Sequence, residues 1–270
     1  MSTLGQLDRL KINGYKSIKK VNIEFNNINI LIGANGVGKS NFIGFFNFIR
    51  KLSQKDLELF VATQGGANKL LHFGRRITQE LDFYILFKQN GDNLASFLHF
   101  IKNHYSKNYT KIIKTIQRVI PYFKDFYLEP EVANESSIRL KWQYKGKDNI
   151  FDINDLSDGS VRFICLTTLL LQPNLPTTIL LDEPELGLYP YALEVLASIF
   201  RVVSNKTQII ASTQSATFAD MFEIKDIIVV DTVDDATTLT RFKEDKFKEW
   251  LDDYSVGELW QKNIIGGNSS

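Results

Sequence analysis

A short glycine-rich segment near the start of the chain has the residue types and spacing of a phosphate-binding loop. Residues 33–40 match G-x-x-x-x-G-K-[ST] at every fixed position. Glycines let the backbone curl so that successive N–H groups point at phosphate oxygens. Lys39 would reach the β- and γ-phosphates of a nucleotide, and the Ser40 hydroxyl would bind Mg²⁺. The predicted loop residues are Gly33, Ala34, Asn35, Gly36, Val37, Gly38, Lys39 and Ser40.

The elements on either side of the loop support this interpretation. INILIG, residues 28–33, is a compact apolar run that is typical of a strand buried on both faces. After the loop, apolar residues recur at positions 42, 45, 46, 49 and 52, which is helical spacing. A plain glycine-rich turn is the alternative. The order strand, loop, helix favours phosphate binding, because the helix N-terminus adds partial positive charge.

A second apolar run, residues 179–181, ends in the acids Asp182 and Glu183. Because parallel strands end at one edge of a sheet, these acids would lie near the phosphate loop. In phosphate-loop enzymes the first acid binds Mg²⁺, usually through water, and the second polarises the attacking water. The alternative is a strand that simply ends in exposed charges. It is disfavoured because the loop needs a metal-holding acid from another strand.

Residues 156–160, Leu-Ser-Asp-Gly-Ser, stand at the start of an apolar helix. Composition alone predicts an ordinary N-cap here, because Ser and Asp are common before a first helical turn. The order of this segment relative to the other motifs favours a second interpretation.

The motifs GANGVGKS, LSDGS, ILLDEPELGLYP and STQSA follow one another in the order found in a known family. The chain resembles the ABC-type ATPase heads of the SMC, RecF and OLD-like families. It looks most like the small AAA-family ATPases of bacterial genomes, several of which are encoded in phage-defence loci. The resemblance covers nearly the whole chain. It implies an α/β phosphate-loop NTPase fold, with a mixed, mostly parallel sheet flanked by helices and a helical insertion before the signature motif.

The resemblance also implies a domain organisation. Residues 1–270 would form a single ABC-type ATPase head. Residues 1–92 would be the nucleotide-binding lobe, residues 93–130 the helical insertion, and residues 131–270 the lobe with the signature, the acids and the C-terminal part.

In the ATP site, the resemblance makes residues 33–40 the Walker A loop. Asp182 would be the Walker B acid and, with Ser40, would hold Mg²⁺. Glu183 would be the general base. Gln214 would stand at the switch position, where many relatives carry His. An amide orients water or a γ-phosphate but does not accept a proton near neutral pH.

The resemblance further implies a head-to-head dimer around two ATP molecules. Ser157 and Gly159 of the signature would contact the γ-phosphate of ATP held by the second protomer. Residues 185–188 would be the D-loop, which crosses the dimer interface. Tyr189 departs from the family pattern, in which His is frequent. The Q-loop glutamine is either Gln64 or Gln89.

The implied function is ATP binding and hydrolysis that controls a partner effector, such as a nuclease or toxin, or DNA engagement. The process would be phage defence or DNA repair. A non-hydrolysing ATP-sensing scaffold subunit of a defence complex is the alternative, and Glu183 argues against it because a sensor needs no base. A GTPase or kinase is a third hypothesis. The absence of an N-K-x-D motif argues against a GTPase, and the paired LSDGS and DEP motifs argue against a kinase.

Composition excludes several other classes. With 44% hydrophobic and 23% charged residues, a chain of 270 residues is an ordinary globular protein that buries a large core. The single Cys165 excludes a disulfide within the chain and a cysteine-based zinc site. No run approaches the roughly 18 apolar residues of a membrane span. We therefore expect a soluble, cytoplasmic protein with no membrane partner.

The net charge of +1 hides one local excess. Between residues 93 and 124 there is no acidic residue, and Tyr105 and Tyr109 are interleaved with basic side chains. Such a segment suits a phosphate backbone or an acidic protein surface, while a solvated helix face is the alternative. We predict a docking surface for DNA or an effector. The basic residues are Lys102, Lys107, Lys111, Lys114, Arg118 and Lys124.

Overall fold

A computed structural model describes residues 6–53, 57–73, 82–83, 94–131, 134–147 and 149–267. The strands are β1 (Arg9–Tyr15), β2 (Ile18–Glu24), β3 (Ile28–Ile32), β4 (Asp82–Phe83), β5 (Phe123–Tyr127), β6 (Pro130–Glu131), β7 (Asn134–Ile138), β8 (Lys141–Tyr144), β9 (Ile150–Asp152), β10 (Thr178–Asp182), β11 (Gln208–Thr213), β12 (Ile227–Val233) and β13 (Ala236–Arg241). The helices are α1 (Lys39–Ser53), α2 (Leu57–Thr63), α3 (Ala67–Leu70), α4 (Leu94–His104), α5 (Ser106–Val119), α6 (Asp158–Leu171), α7 (Pro190–Val203), α8 (Ala216–Ala219), α9 (Lys248–Leu251) and α10 (Val256–Gln261). Short 3₁₀ turns lie at Ile153–Asp155, Ile224–Asp226 and Glu244–Phe247.

The chain divides into two units, each assembled from distant segments. The first unit consists of Met1–Phe87, Thr177–Pro184 and Thr207–Ser270, and the second of Lys88–Pro176 and Glu185–Lys206. The segment predicted as a helical insertion, residues 93–130, belongs to the second unit, together with α6 and α7.

The first unit is built on a five-stranded sheet with the order β10-β11-β3-β12-β13. The first four strands are parallel and β13 is antiparallel. All five residues of β3 are buried, as an apolar strand in the middle of a covered sheet requires. On α1 the side chains of Phe42, Phe45 and Phe46 are buried in the core, at the spacing seen in the sequence. The predicted mixed, mostly parallel α/β fold is confirmed.

A smaller antiparallel sheet in the same unit has the order β2-β1-β4. The sequence predicts a strand over residues 81–88. Its described part is β4, and the rest lies outside the described residues.

The second unit combines a helical layer with small antiparallel sheets. The predicted helices α6 and α7 are present, and α7 begins with Pro190, a residue suited to the first helical position. The sequence predicts one strand over SIRLKWQY, residues 137–144, but this segment holds the end of β7 and all of β8, which belong to different sheets. Strand β5 was not predicted. It pairs with β8 in the sheet β5-β8-β9.

Two further expectations from the sequence concern membrane-spanning helices and the burial of Cys165. Within the described ranges, no helix is both long enough and apolar enough to cross a bilayer. Cys165 on α6 is exposed, although its apolar neighbours predict a core position. The helix buries Phe163, Ile164 and Leu166, so the cysteine takes a position on its open face.

The hydroxyl of Tyr15 is buried in the core of the first unit. Among the described residues it has no hydrogen-bond partner, and its ring packs on Phe45 at 5.1 Å between centroids. Burial raises the pKa of Tyr15 to about 12. A buried, unsatisfied hydroxyl costs about 1–3 kcal/mol of desolvation. We therefore expect Tyr15→Phe to raise the free energy of unfolding by about 1 kcal/mol in a denaturant titration.

Tyr109 provides the matched control for this prediction. Its hydroxyl is also shielded from solvent but donates to Asp125 Oδ1 at 2.7 Å. Tyr109→Phe should therefore lower the free energy of unfolding by about 1 kcal/mol. Equal destabilisation by the two substitutions would contradict the assignment of an unsatisfied hydroxyl to Tyr15.

Candidate functional site

The predicted phosphate loop connects β3, in the middle of the sheet, to α1. Within it, Gly36 and Gly38 have φ values of 85° and 105°, a conformation that L side chains rarely adopt. Helix α1 begins at Lys39, so the last two residues of the loop, Lys39 and Ser40, form the start of the helix. Since the first N–H groups of a helix have no partner inside it, the loop and the helix start together offer donors to an anion.

Two hydroxyl groups, one on β13 and one in the turn between β1 and β2, lie at the far end of the loop. Thr237 on β13 is 1% exposed and donates to the carbonyl oxygen of Val37 at 2.9 Å. Its Oγ1 also lies 2.7 Å from Oγ of Ser17, which accepts from Asn41 Nδ2 at 2.8 Å. A Cβ atom at Gly38 would lie 2.1 Å from Thr237 Oγ1. Glycine is therefore required for this close approach.

The side chain of Lys39 lies across the start of the same loop. It is 5% exposed, and its Nζ donates to the carbonyl oxygens of Gly33 at 2.6 Å and Ala34 at 2.9 Å. A buried ammonium group requires such partners. The loop thus holds the amine that is predicted to bind the β- and γ-phosphates.

Asp182 lies at the carboxyl end of β10, as the sequence predicts. The parallel register places Asp182 opposite Ser212, and Ser212 opposite Leu31, two residues before Gly33. With about 4.8 Å between neighbouring strands, Asp182 is about 10 Å across the sheet from the end of β3. Oγ of Ser212 donates to Asp182 Oδ1. Asp182, the predicted Walker B acid, and the predicted phosphate loop therefore share one edge of the sheet.

The two residues predicted to be catalytic are in direct contact. Nε2 of Gln214 donates to Oε1 of Glu183. Glu183 has a φ of 47°, which is unusual for a residue other than glycine, and its N–H donates to the carbonyl of Ser212 at 3.1 Å. Such strained residues concentrate at functional sites, where their surroundings hold them in place. The Gln214 amide thus orients the Glu183 carboxylate. Of these two groups, only the carboxylate is able to accept a proton near neutral pH.

Ser40 and Asp182 are the residues predicted to hold Mg²⁺. Both expose oxygen donors to solvent, and α1 packs against β10. Mg²⁺ prefers oxygen ligands and usually keeps several waters, with one or two protein ligands and the substrate phosphates. Among the described residues there is no cluster of three His, Cys, Asp or Glu side chains. A hydroxyl and a carboxylate, without a protein cage, fit the way Mg²⁺ binds with a nucleotide.

In the second unit, Ser157 is the N-cap of α6. Its Oγ accepts a hydrogen bond from the backbone N–H of Ser160 at 3.3 Å and lies 3.0 Å from Ser160 Oγ. The N-cap predicted from composition is therefore present. It is compatible with the signature role, because the exposed start of a 14-residue helix is a suitable place for an anion.

The predicted signature and the predicted D-loop meet through their backbones. A Cβ atom at Gly159 would lie 2.1 Å from the carbonyl oxygen of Gly187, so a side chain at position 159 would separate the two segments. Around this contact is an open cavity of about 500 Å³, lined in part by Leu156, Arg162 and Leu186. The side chain of Leu186 is half exposed. Two motifs that are distant in the chain thus form one exposed surface.

The remaining expectations concern single residues. Gln64 is exposed just after α2, and Gln89 lies outside the described residues. Tyr189 is the N-cap residue of α7, is 49% exposed, and donates its hydroxyl to the carbonyl of Val119. The role of a Q-loop glutamine stays a prediction for both candidates.

Sequence reasoning missed Thr237 as a support of the phosphate loop. It lies 200 residues after Val37 along the chain, on a strand with no recognisable motif. A buried threonine in the alternating segment ATTLTR carries no local signal of the loop it contacts.

Comparison with a family model gives a match over residues 72–220, more than half of the chain. The family is described as "AAA domain, putative AbiEii toxin, Type IV TA system". The matched part begins after the phosphate loop and includes Ser157, Asp182 and Gln214. A search of curated proteins gives no match.

Solved structures of SMC heads are similar in fold. An Smc head bound to the C-winged helix domain of ScpA has a TM-score of 0.62 at 16% identity and covers 90% of this chain and 99% of its own. An Smc head with an extended coiled coil, bound to the C-terminal domain of ScpA from Pyrococcus furiosus, has a TM-score of 0.59 at 14% identity. It covers 93% of this chain and 99% of its own. The SMC head domain from Thermotoga maritima has a TM-score of 0.52 at 16% identity and covers 88% of this chain and 99% of its own. The chain thus has the α/β phosphate-loop fold of an SMC head, and it belongs to the AAA domain family described as putative AbiEii toxin of type IV toxin–antitoxin systems.

Proposed function

We propose that this protein binds ATP with Mg²⁺ and hydrolyses it. The observation that carries the proposal is the pairing of Glu183 with Gln214 at the sheet edge where the phosphate loop begins. Glu183 is the general base that accepts a proton from the attacking water. Lys39 and the loop N–H groups bind the phosphates, while Ser40 and Asp182 hold the metal ion, which neutralises developing charge when bound.

Two chains face each other around two ATP molecules. The exposed surface formed by Ser157, Gly159 and the D-loop supports this arrangement, because Ser157 and Asp158 at the start of α6 are exposed, where a γ-phosphate would bind. A homodimer of this kind buries the same surface on both chains. Residues 1–270 act as one head, with residues 93–130 as its insertion.

The ATP-driven dimer controls a protein partner or engages DNA, in phage defence or DNA repair. Two of the similar Smc heads are bound to domains of ScpA, and the family description names a toxin. Both support a partner effector for this chain.

The basic residues of α5 are the proposed docking surface. Lys107, Lys111, Lys114 and Arg118 are spaced four, three and four residues apart, which places them on one face of the helix, and all are exposed. The opposite face is buried through residues that include Ile112 and Ile116. The helix carries no acidic residue.

Tyr109 stands between basic residues in the sequence, but its side chain is buried and does not lie on the exposed basic surface. Tyr109 is 7% exposed, and its hydroxyl donates to the carboxylate of Asp125. Lys102 lies 3.7 Å from the same carboxylate and over the Tyr109 ring. Tyr105 is half-buried at the start of α5, so the exposed row of charges on this helix offers mainly phosphate contacts. That arrangement favours the backbone of duplex DNA as its ligand.

We expect Lys39→Ala to lower the affinity for ATP about 10- to 150-fold. A charge-assisted hydrogen bond contributes about 1.5–3 kcal/mol, and 1.4 kcal/mol is a factor of ten. Isothermal titration measures the change. Lys20→Ala, which removes an exposed lysine on β2, is the control and should bind as the wild type does. Unchanged affinity in Lys39→Ala would contradict the phosphate-loop assignment.

We expect Glu183→Gln to keep ATP affinity, to lose turnover and to accumulate an ATP-bound dimer, because the base is removed while the phosphate contacts remain. A phosphate-release assay and light scattering with ATP and Mg²⁺ measure both effects. Glu194→Gln, at an exposed position of α7, should keep wild-type turnover. Adding Ser157→Arg to Glu183→Gln should abolish the dimer.

Two outcomes would contradict this part of the proposal. A wild type that binds ATP without turnover would support the ATP-sensing scaffold instead. A Glu183→Gln chain that stays monomeric at high concentration would exclude the dimer around ATP.

We expect simultaneous charge reversal of Lys107, Lys111 and Lys114 to glutamate to weaken duplex DNA binding and leave basal ATP turnover intact. In the wild type the affinity should fall steeply with salt, and the loss of three phosphate contacts should reduce the slope by about 3. Reversal of Lys11, Lys19 and Lys20, which are exposed on β1 and β2, is the control with equal charge change. Unchanged, salt-insensitive binding would show that α5 is a solvated face, and loss of a protein partner alone would assign α5 to an acidic protein surface.

A further inference from the structure

The segment that follows α10 contacts the first residues of the phosphate loop. The carbonyl oxygen of Gly267 accepts a hydrogen bond from the N–H of Ala34 at 2.6 Å. The N–H of Gly267 donates to Oδ2 of Asp231 at 3.1 Å. A single residue thus connects the loop to a carboxylate on β12, the strand next to β3 in the sheet.

The carboxylate that anchors this residue is itself fixed. The other oxygen of Asp231 accepts from the backbone N–H of Thr232 at 2.8 Å. Close by, the start of the loop packs on the same strand, since a Cβ atom at Gly33 would lie 2.3 Å from the carbonyl oxygen of Val230. Strand β12 therefore supports the loop directly and through Gly267.

Position 267 has little tolerance for a side chain. Gly267 has a φ of 84°, and a Cβ atom there would lie 3.0 Å from Val229 Cγ1 and 3.4 Å from Gly33 Cα. Both the backbone conformation and the space favour glycine. The segment before it is anchored in the core, because Trp260 and Ile265 are 5% and 3% exposed.

The contacts of Ala34 show what the segment does for the loop. The carbonyl of Ala34 accepts from Lys39 Nζ, and its N–H donates to Gly267. Both polar groups of this residue are therefore engaged, one by the phosphate-binding lysine and one by the segment after α10. Loss of the second contact would free the peptide that holds the lysine.

We propose that Asp231 and Gly267 are positioning residues for the phosphate loop, and that the segment Ile264–Gly267 acts as a clasp that holds Ala34, and through it Lys39, in the geometry that binds phosphate. This inference rests on the proposed ATP-binding function. It assigns a role in nucleotide affinity to residues that touch neither the phosphates nor the metal ion.

Helix α10 extends the clasp to the region of Gln214. The N–H of Gly257 donates to Oδ1 of Asp220, and a Cβ atom at Gly257 would lie 2.6 Å from the carbonyl of Ala216 on α8. Helix α8 begins two residues after Gln214. One continuous segment, Val256–Gly267, thus packs beside the helix that follows the switch residue and bonds to the start of the phosphate loop.

The test combines amide hydrogen exchange at Ala34, measured by NMR without nucleotide, with calorimetric titration of ADP and ATP. In Gly267→Ala and Asp231→Ala we expect Ala34 to lose protection and nucleotide affinity to fall roughly tenfold, the effect of one lost hydrogen bond. Asp231→Asn keeps an oxygen acceptor for the Gly267 N–H and should retain most of the affinity.

Two controls separate the clasp from general destabilisation. Gly146→Ala places alanine at a φ of 74° where a Cβ atom meets nothing within 4 Å, so it carries the same backbone strain in the second unit, which does not contain the clasp. It should leave exchange at Ala34 and affinity unchanged. A chain ending at Ile265 should behave as Asp231→Ala does, and one ending at Asn268 should behave as the wild type does.

Preserved protection of Ala34 in Gly267→Ala and Asp231→Ala would overturn the clasp. Lost protection with unchanged or tighter nucleotide binding would overturn the positioning role. A wild type that binds neither ADP nor ATP would instead refute the proposed function, and the exchange at Ala34 would still show whether the contact with Gly267 holds the loop.

Discussion

The parallel pairing of β10, β11, β3 and β12 is the constraint on which the rest of the candidate site depends. Parallel strands end at the same edge, so the acids at the end of β10, Gln214 after β11 and the loop after β3 are brought to one line. The apolar composition of these strands favours this pairing, because parallel sheets are usually covered on both faces. The chemistry at the edge is therefore a product of the hydrophobic core beneath it.

A loop that must present its N–H groups to a ligand cannot also satisfy them internally, so it needs support from elsewhere. Here the support comes from Thr237 at the far end of the loop and from Lys39 and Gly267 at its start. Each contact uses a backbone group of the loop: the carbonyl oxygens of Gly33, Ala34 and Val37 and the N–H of Ala34. Pre-ordering of this kind lowers the entropic cost of binding, since the loop is already held before the nucleotide arrives.

The second unit follows a different principle, in which backbone approach and surface charge matter more than buried polar contacts. Gly159 and Gly187 let two motifs touch without intervening side chains, which leaves Ser157 and Leu186 on the surface. On α5 a single helix separates an apolar face in the core from a row of exposed basic residues. This unit thus exposes both the surface proposed for a second copy and the one proposed for DNA.

From the sequence alone follow the fold class, the glycine-rich loop between a strand and a helix, the acids at a strand end and the main helices. These features depend on local periodicity and on fixed short spacings, which do not require knowledge of distant residues. The sequence did not determine that SIRLKWQY contributes to two strands, that β5 exists, or that Tyr109 is a core residue, because tertiary partners decide such positions. The hydrogen bonds of Gln214 with Glu183, of Thr237 with Val37 and of Gly267 with Ala34 are visible only in the tertiary structure. These contacts join residues 31 to 233 positions apart, and no local pattern records a pairing that folding alone brings together.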